Sequence, residues 1–107
     1  QRCASHLASK TDIDESVGVG KAAVNAAIEG KTGIMMTINR NDDSKYSVYY
    51  DSADIFGIAN GVRSVPLEFI NKEGNGVTDE CIKYLAPLII GEVAPSYTNG
   101  LPDHFVL

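Results

Sequence analysis

Few side chains in this chain have both the type and the setting that chemistry needs, and Arg2 comes first among them. A guanidinium is planar, permanently charged and able to grip a phosphate monoester through two parallel N–H donors. By its type alone Arg2 reads as a surface arginine. Its place just ahead of a small-residue stretch and a helix start would also let it aim at an anion. The string "GVGKAA" at 18–23 invites a phosphate-loop reading, but a phosphate loop needs GxxxxGK[ST] at a strand-to-helix turn with free backbone amides. These glycines fall inside a helical pattern, whose amides are already bonded.

The remaining candidates are weaker. His6 and His104 stand alone near opposite ends, without carboxylate or cysteine partners at ligand spacing. Ser5, Ser9 and Ser16 show no nucleophile elbow. The acids of "DIDE" at 12–15 sit where a helix N-terminus favours negative charge, which accounts for them. "DD" at 42–43 marks a turn. Tyr46, Tyr49 and Tyr50 read as strand packing rather than a stacking platform. Cys3 and Cys81 match no CxxC or Cys/His spacing and read as free thiols of a reducing compartment, with a bridge between them as the minority alternative.

Composition narrows the classes. The 107 residues suit one domain, and 44% of them are apolar. A net charge of −5 argues against a general nucleic-acid binder, which needs a basic face to neutralise phosphates. No apolar run approaches the roughly 20 residues of a membrane span, and the first residues do not form a basic-then-apolar leader. A local basic pocket for one small phosphate ester stays compatible with this balance.

These side chains must be placed by a small set of elements. Thr11, with Asp12, Asp14 and Glu15 behind it, is the expected cap of a helix over about residues 12–29, and Thr11 and Asp14 stand at partial capping-box spacing. Ile13, Val17, Gly20, Val24, Ala27 and Ile28 share one face, and Gly30 ends the helix. Gly18 and Gly20 each cost a helix about 1 kcal/mol relative to Ala, and close approach of another backbone at Gly20 is the expected compensation. "GIMMTINR", a polar turn "NDDS" and "KYSVYY" predict an antiparallel hairpin over 33–50. "SADIFGIAN" predicts a helix from Ser52 that stops at Asn60-Gly61, and "PLEFI" a short helix with Pro66 at its first position. Thr78 caps a last helix over about 78–90, bent at Pro87, and 91–107 reads as an extended tail. The fold class is therefore α/β: helix, antiparallel β-hairpin, helices.

Two long strings then carry a resemblance. "QRCASHLASKTDIDESVGVGKAAVNAAIEGKTGIMMTI" and "VPLEFINKEGNGVTDECIKYLAPLIIGE" are similar to the C-terminal part of the 6-phosphofructokinases, in the branch that contains the pyrophosphate-dependent enzymes. The resemblance covers nearly the whole chain. It implies a fragment of the phosphofructokinase fold, a segment of the smaller lobe, with residues 1–10 as the remnant of a substrate loop. It implies phosphoryl transfer to the 1-hydroxyl of fructose 6-phosphate in glycolysis, with pyrophosphate or ATP as donor. It places Arg2 on the sugar 6-phosphate, and puts the Gly-rich donor loop, the acidic Mg2+ ligands and the catalytic aspartate in segments outside these 107 residues. A cytoplasmic homo-oligomer follows as the expected setting, with no nucleic acid and no membrane as partner.

A chain that opens on "QR" without a methionine fits this as a piece of a longer polypeptide, inactive alone and binding fructose 6-phosphate no better than millimolar. Such a piece should expose Ile34, Met36, Phe56 and Phe69 and self-associate, as a two-fold dimer. The alternative is a non-catalytic interaction or oligomerisation module.

Overall fold

Serine and threonine can both cap a helix, and the sequence offers Ser9 and Thr11 two residues apart. In a computed structural model, which describes residues 7–41 and 44–103, Ser9 is the cap. Its backbone is extended, its Oγ accepts from the Asp12 amide at 3.1 Å, and α1 runs Lys10–Ile28. Ser9 prevails over Thr11 because it is pinned in extended form, in a bridge to Glu92. Thr11 lies in the first turn and donates its hydroxyl to the Ile90 carbonyl instead. At the other end the amides of Gly30 and Lys31 bond back to Ala27 and Ala26. This is a Schellman close, and it requires the left-handed φ of +78° that Gly30 supplies.

The hairpin pairs β1 (Ile34–Arg40) with β2 (Val48–Asp54) in antiparallel register, Ile34 opposite Asp54 and Arg40 opposite Val48. Its second strand is displaced from the expected 45–50. Seven residues, 41–47, make the connection, and the strand continues through Ser52 and Ala53, where a helix start was expected. Register explains the shift, since seven residues of β1 need seven partners, and the ladder closes at Asp54. Asp54 then caps α2, a single turn over Ile55–Ile58, by accepting from the Phe56 amide. Asn60 stops it in a left-handed conformation.

α1 lies on the hairpin through its small residues, not through its apolar stripe. Gly18 faces Tyr50 of β2, where an added Cβ would overlap the phenol ring. Ala23, Ala26 and Ala27 share a hollow with Ile34 and Met36. Close approach thus occurs at Gly18 and comes from a side chain; around Gly20 nothing lies within 4 Å. The stripe of Ile13, Val17, Val24 and Ile28 points the other way and stays 43%, 51%, 60% and 79% exposed.

Pro66 precedes a 3-10 turn, Leu67–Phe69, rather than opening a longer helix, and its carbonyl accepts from the Phe69 amide. Asn71 organises the loop that follows. Its Oδ1 accepts from the amides of Asn75 and Gly76, its Nδ2 donates to Asn75, and its amide bonds the Gly76 carbonyl. Thr78 caps α3 (Asp79–Leu85) as expected, and the chain tightens to a 3-10 turn at Ala86–Ile89, where Pro87 removes a donor. The segment beyond Gly91 is not a plain tail. Tyr97–Thr98 (β3) pairs with Leu101–Pro102 (β4) around Asn99-Gly100, both at positive φ, the chemistry of a type I′ turn. Hydrogen bonds from Thr98 and Ser96 hold the Asp103 carboxyl below its usual range.

Little of this is buried. Ala26 and Cys81 are the buried apolar residues among those described. The accessible surface is 9302 Å², against about 5,800 Å² for a self-contained domain of this mass. The radius of gyration is 17.5 Å, against about 13 Å. Phe56 and Leu67 are more than four-fifths exposed. Ile34, Met36 and Phe69 are not open patches as expected: the first two lie against α1, and Phe69 packs on Tyr84 with ring centroids 5.3 Å apart.

The Gly18–Tyr50 contact makes a prediction. Alanine in a helix normally gains about 1 kcal/mol over glycine, but here overpacking costs about 1–3 kcal/mol. Gly18→Ala should lower the urea midpoint of the protein, whereas in a Tyr50→Ala background, which carries its own cost, the same change should no longer lower it. A midpoint raised by the full helix gain of about 1 kcal/mol for Gly18→Ala alone would refute the contact.

Candidate functional site

The segment that carries Arg2 enters the described structure at Leu7, and what holds it there can be read residue by residue. Arg2 itself, with Cys3 and His6, lies outside the described residues, as does His104. Ser9 donates its hydroxyl to the Leu88 carbonyl. The Lys10 amide donates to Gly91 O at 2.9 Å and the Thr11 amide to Ile90 O at 3.3 Å. Gly91 has φ +86°, and a Cβ there would stand 2.7 Å from Lys10 Cβ, so glycine is needed for both conformation and space. α1 is thereby stapled to the segment that follows α3. Leu7, Ala8 and Ser9 border an open hollow of about 580 Å³ together with Ile89, Glu92 and Tyr97.

This arrangement decides what the helix start can do. The four leading amides, of Lys10, Thr11, Asp12 and Ile13, all have partners: Gly91, Ile90, the Ser9 hydroxyl and the Ser9 carbonyl. None is left for a phosphate, so any grip on an anion beside this helix must come from side chains. "GVGKAA" lies mid-helix, as expected, with no loop for phosphate. Among the described residues no three His, Cys, Asp or Glu side chains lie close enough to hold a metal ion. Cys81 is a buried free thiol.

A second cluster was not legible in the sequence. The Arg40 guanidinium lies over the Tyr84 ring, 3.8 Å from its centroid, and 4.9 Å from that of Tyr46. Tyr46 donates its hydroxyl to Glu15 at 2.6 Å. Glu15 is therefore more than a helix-terminal charge; it ties α1 to the loop after β1. Asp14 is likewise engaged, in an exposed pair with Lys10 at 2.7 Å. Tyr50 packs from its strand as expected, whereas Tyr46 lies in the loop ahead of β2 and flanks a cation. One Arg40 nitrogen, Nη2, is buried without a partner among the described residues. Arg40 thus joins hairpin and α3 by stacking, the geometry guanidinium favours over aromatic faces. Spacing gave no sign of this, because the four residues come from four separate segments.

No family model matches the chain. A pyrophosphate–fructose 6-phosphate 1-phosphotransferase of Methylococcus capsulatus is 44% identical over 107 residues, which is 100% of this chain and 26% of that protein. Its counterpart in Halomonas elongata is 44% identical over 102 residues, 95% of this chain and 24% of the relative. The crystal structure of the pyrophosphate-dependent phosphofructokinase from Nitrosospira multiformis superposes with a TM-score of 0.86 at 42% identity, over 94% of this chain and 25% of that one. By sequence and by fold, the chain matches a quarter of a pyrophosphate-dependent phosphofructokinase. The chain spans about a quarter of the length of the relatives it matches. The helix, hairpin and later helices described above are elements of the phosphofructokinase fold, as the resemblance implied. No helix among the described residues is long and apolar enough to cross a membrane.

Tyr46 supplies a pH test of the second cluster. Burial, and then its hydrogen bond to Glu15, push the phenol up to about 12, against a smaller opposing pull from Arg40. A folded value above the unfolded one, ordinarily 10.0, favours the protonated folded state. Its contribution to stability is complete below pH 10 and lost as pH rises toward 12. Tyr46→Phe should abolish this part of the alkaline loss, read as urea midpoint against pH. Glu15→Gln should bring one phenol's absorbance titration back toward 10. A single set of tyrosines all titrating near 10 in the folded protein would contradict the Glu15 contact.

Proposed function

We propose that these 107 residues are part of an enzyme that transfers a phosphoryl group from pyrophosphate to the 1-hydroxyl of fructose 6-phosphate. The observation that supports this is 44% identity, over the whole chain, to a relative named for that reaction. The sugar hydroxyl forms a new O–P bond, the bridging P–O bond of pyrophosphate breaks, and inorganic phosphate leaves while the hydroxyl proton passes to a base. Such transfer depends on positioning and charge neutralisation more than on covalent chemistry.

This chain's part in that reaction is positioning. Arg2 holds the 6-phosphate, the end of the sugar remote from the reacting hydroxyl, where binding energy can serve orientation. The ladder from Ser9, Lys10 and Thr11 to Leu88–Gly91 fixes the backbone from which that arm extends. Mg2+ would neutralise the donor phosphates when bound, and its ligands are read as lying in other parts of the enzyme. The names of the relatives favour pyrophosphate over ATP as donor. The complete enzyme is read as a cytoplasmic, glycolytic homo-oligomer.

The deciding assay supplies the complete polypeptide with fructose 6-phosphate, Mg2+ and either donor. Turnover with pyrophosphate and little or none with ATP is expected; turnover with neither overturns the reading. In the same enzyme Arg2→Ala should raise KM for fructose 6-phosphate by roughly ten- to a hundredfold, the loss of about 1.5–3 kcal/mol for a charged hydrogen bond. The donor KM should change far less. An unchanged sugar-phosphate KM would remove Arg2 from the site.

A further inference from the structure

Three of the seven asparagines stand directly before a glycine: Asn60, Asn75 and Asn99. In such a pair the glycine amide can attack the neighbouring side chain, because glycine has no Cβ to crowd the approach. The nitrogen bonds to the side-chain carbonyl carbon, ammonia leaves, and water opens the resulting succinimide. The product is aspartate or its backbone-rearranged isomer, isoaspartate, and either one adds a negative charge. Exposure does not rank the three pairs, since all of them are exposed. Their hydrogen bonds do. Attack needs an amide that is not engaged and a backbone that can rotate until nitrogen and carbon meet. The Gly61 amide is engaged with the Ile58 carbonyl at 2.9 Å. Asn75 is tied more tightly. Its amide and that of Gly76 both donate to Asn71 Oδ1 at 3.0 Å, and Asn71 Nδ2 donates to its side-chain oxygen at 3.0 Å. The bridge between Ile70 and Val77 closes that loop from outside.

Asn99 has neither restraint. Among the described residues its side chain and the Gly100 amide have no hydrogen-bond partner. The strands that hold its turn, Tyr97–Thr98 and Leu101–Pro102, are two residues each and fully on the outside. A hairpin this short is marginal by itself, so the rotation that ring closure requires opens only local structure. We infer that Asn99 is a site of spontaneous deamidation, reacting faster than Asn60 and Asn75 in the folded protein. The inference stands on these residues alone and does not depend on the reaction proposed above. Its two products differ in effect. Aspartate tolerates the left-handed conformation as asparagine does, so the turn survives and the chain, already at −5, gains one negative charge. Isoaspartate puts an extra methylene into the main chain and breaks the register that sets Tyr97 opposite Pro102.

The test incubates the complete polypeptide at mildly alkaline pH and follows each Asn-Gly peptide by mass spectrometry, with chromatography separating aspartate from isoaspartate. Asn99 should react about tenfold faster than Asn60 or Asn75, the rate equivalent of ~1.4 kcal/mol or one hydrogen bond. In urea the three rates should converge. Asn71→Ala, which frees the Gly76 amide, should bring Asn75 up toward the rate of Asn99. Asn71→Asp keeps the accepting oxygen and should raise it less. Asn60 or Asn75 reacting as fast as Asn99 in the folded protein would overturn the inference. So would the same ratio of rates after unfolding, because neighbouring sequence would then account for it without the fold. If Asn71→Ala does not fold, the three rates of the unaltered protein, folded and in urea, still decide.

Discussion

Four hydrogen bonds join residues near the start of this chain to residues almost eighty positions later. They run from the Ser9 and Thr11 hydroxyls and the Lys10 and Thr11 amides to carbonyls of Leu88, Ile90 and Gly91. The rest of the structure hangs on this ladder. It chooses Ser9 over Thr11 as the cap, consumes the first two amides of α1, and forces glycine at position 91. Without it α1 and its hairpin would be one small unit and α3 with its preceding loop another, held to each other chiefly by Arg40 across the Tyr84 ring.

The packing of α1 shows how apolar periodicity can mislead about direction. The stripe through Ile13, Val17 and Val24 marks a buried face in the usual reading. In this chain the inner face is instead the one with Glu15, Gly18, Ala22 and Ala26, because strand side chains as large as Tyr50 need small residues opposite them. The described residues cover the smooth inner face and leave the apolar outer one exposed.

Much of the fold was nevertheless legible in the sequence. Gly30, Thr78 and Asn60-Gly61 acted as their backbone chemistry dictates, so α1 lies within two residues of expectation and α3 starts where Thr78 placed it, although α3 gives way to a 3-10 turn at Ala86, ahead of the expected end near 90. Ser52 and Ala53 misled because a capping residue before an apolar run signals a helix locally, whereas ladder register is decided by a partner strand. The hairpin at Asn99-Gly100 did carry its signal, an Asn-Gly pair, in strands too short to show alternation. Arg2 lies outside the described residues and its role is a proposal carried by the strings around it; the Glu15–Tyr46–Arg40–Tyr84 cluster depends on long-range placement and had no local mark.

The end-to-end ladder also behaves as a latch of marginal strength. Drawing together residues 79 positions apart costs roughly 4 kcal/mol of chain entropy. Four hydrogen bonds return about 2–6 kcal/mol in water. The two nearly cancel, so closure depends on the packing around it. A ligand held by the arm ahead of Ser9 that needs the closed form would tighten the latch, and by reciprocity a tighter latch would strengthen the hold on the ligand by the same factor. If the arm binds a ligand as proposed, its affinity would be coupled in this way to order at Gly91.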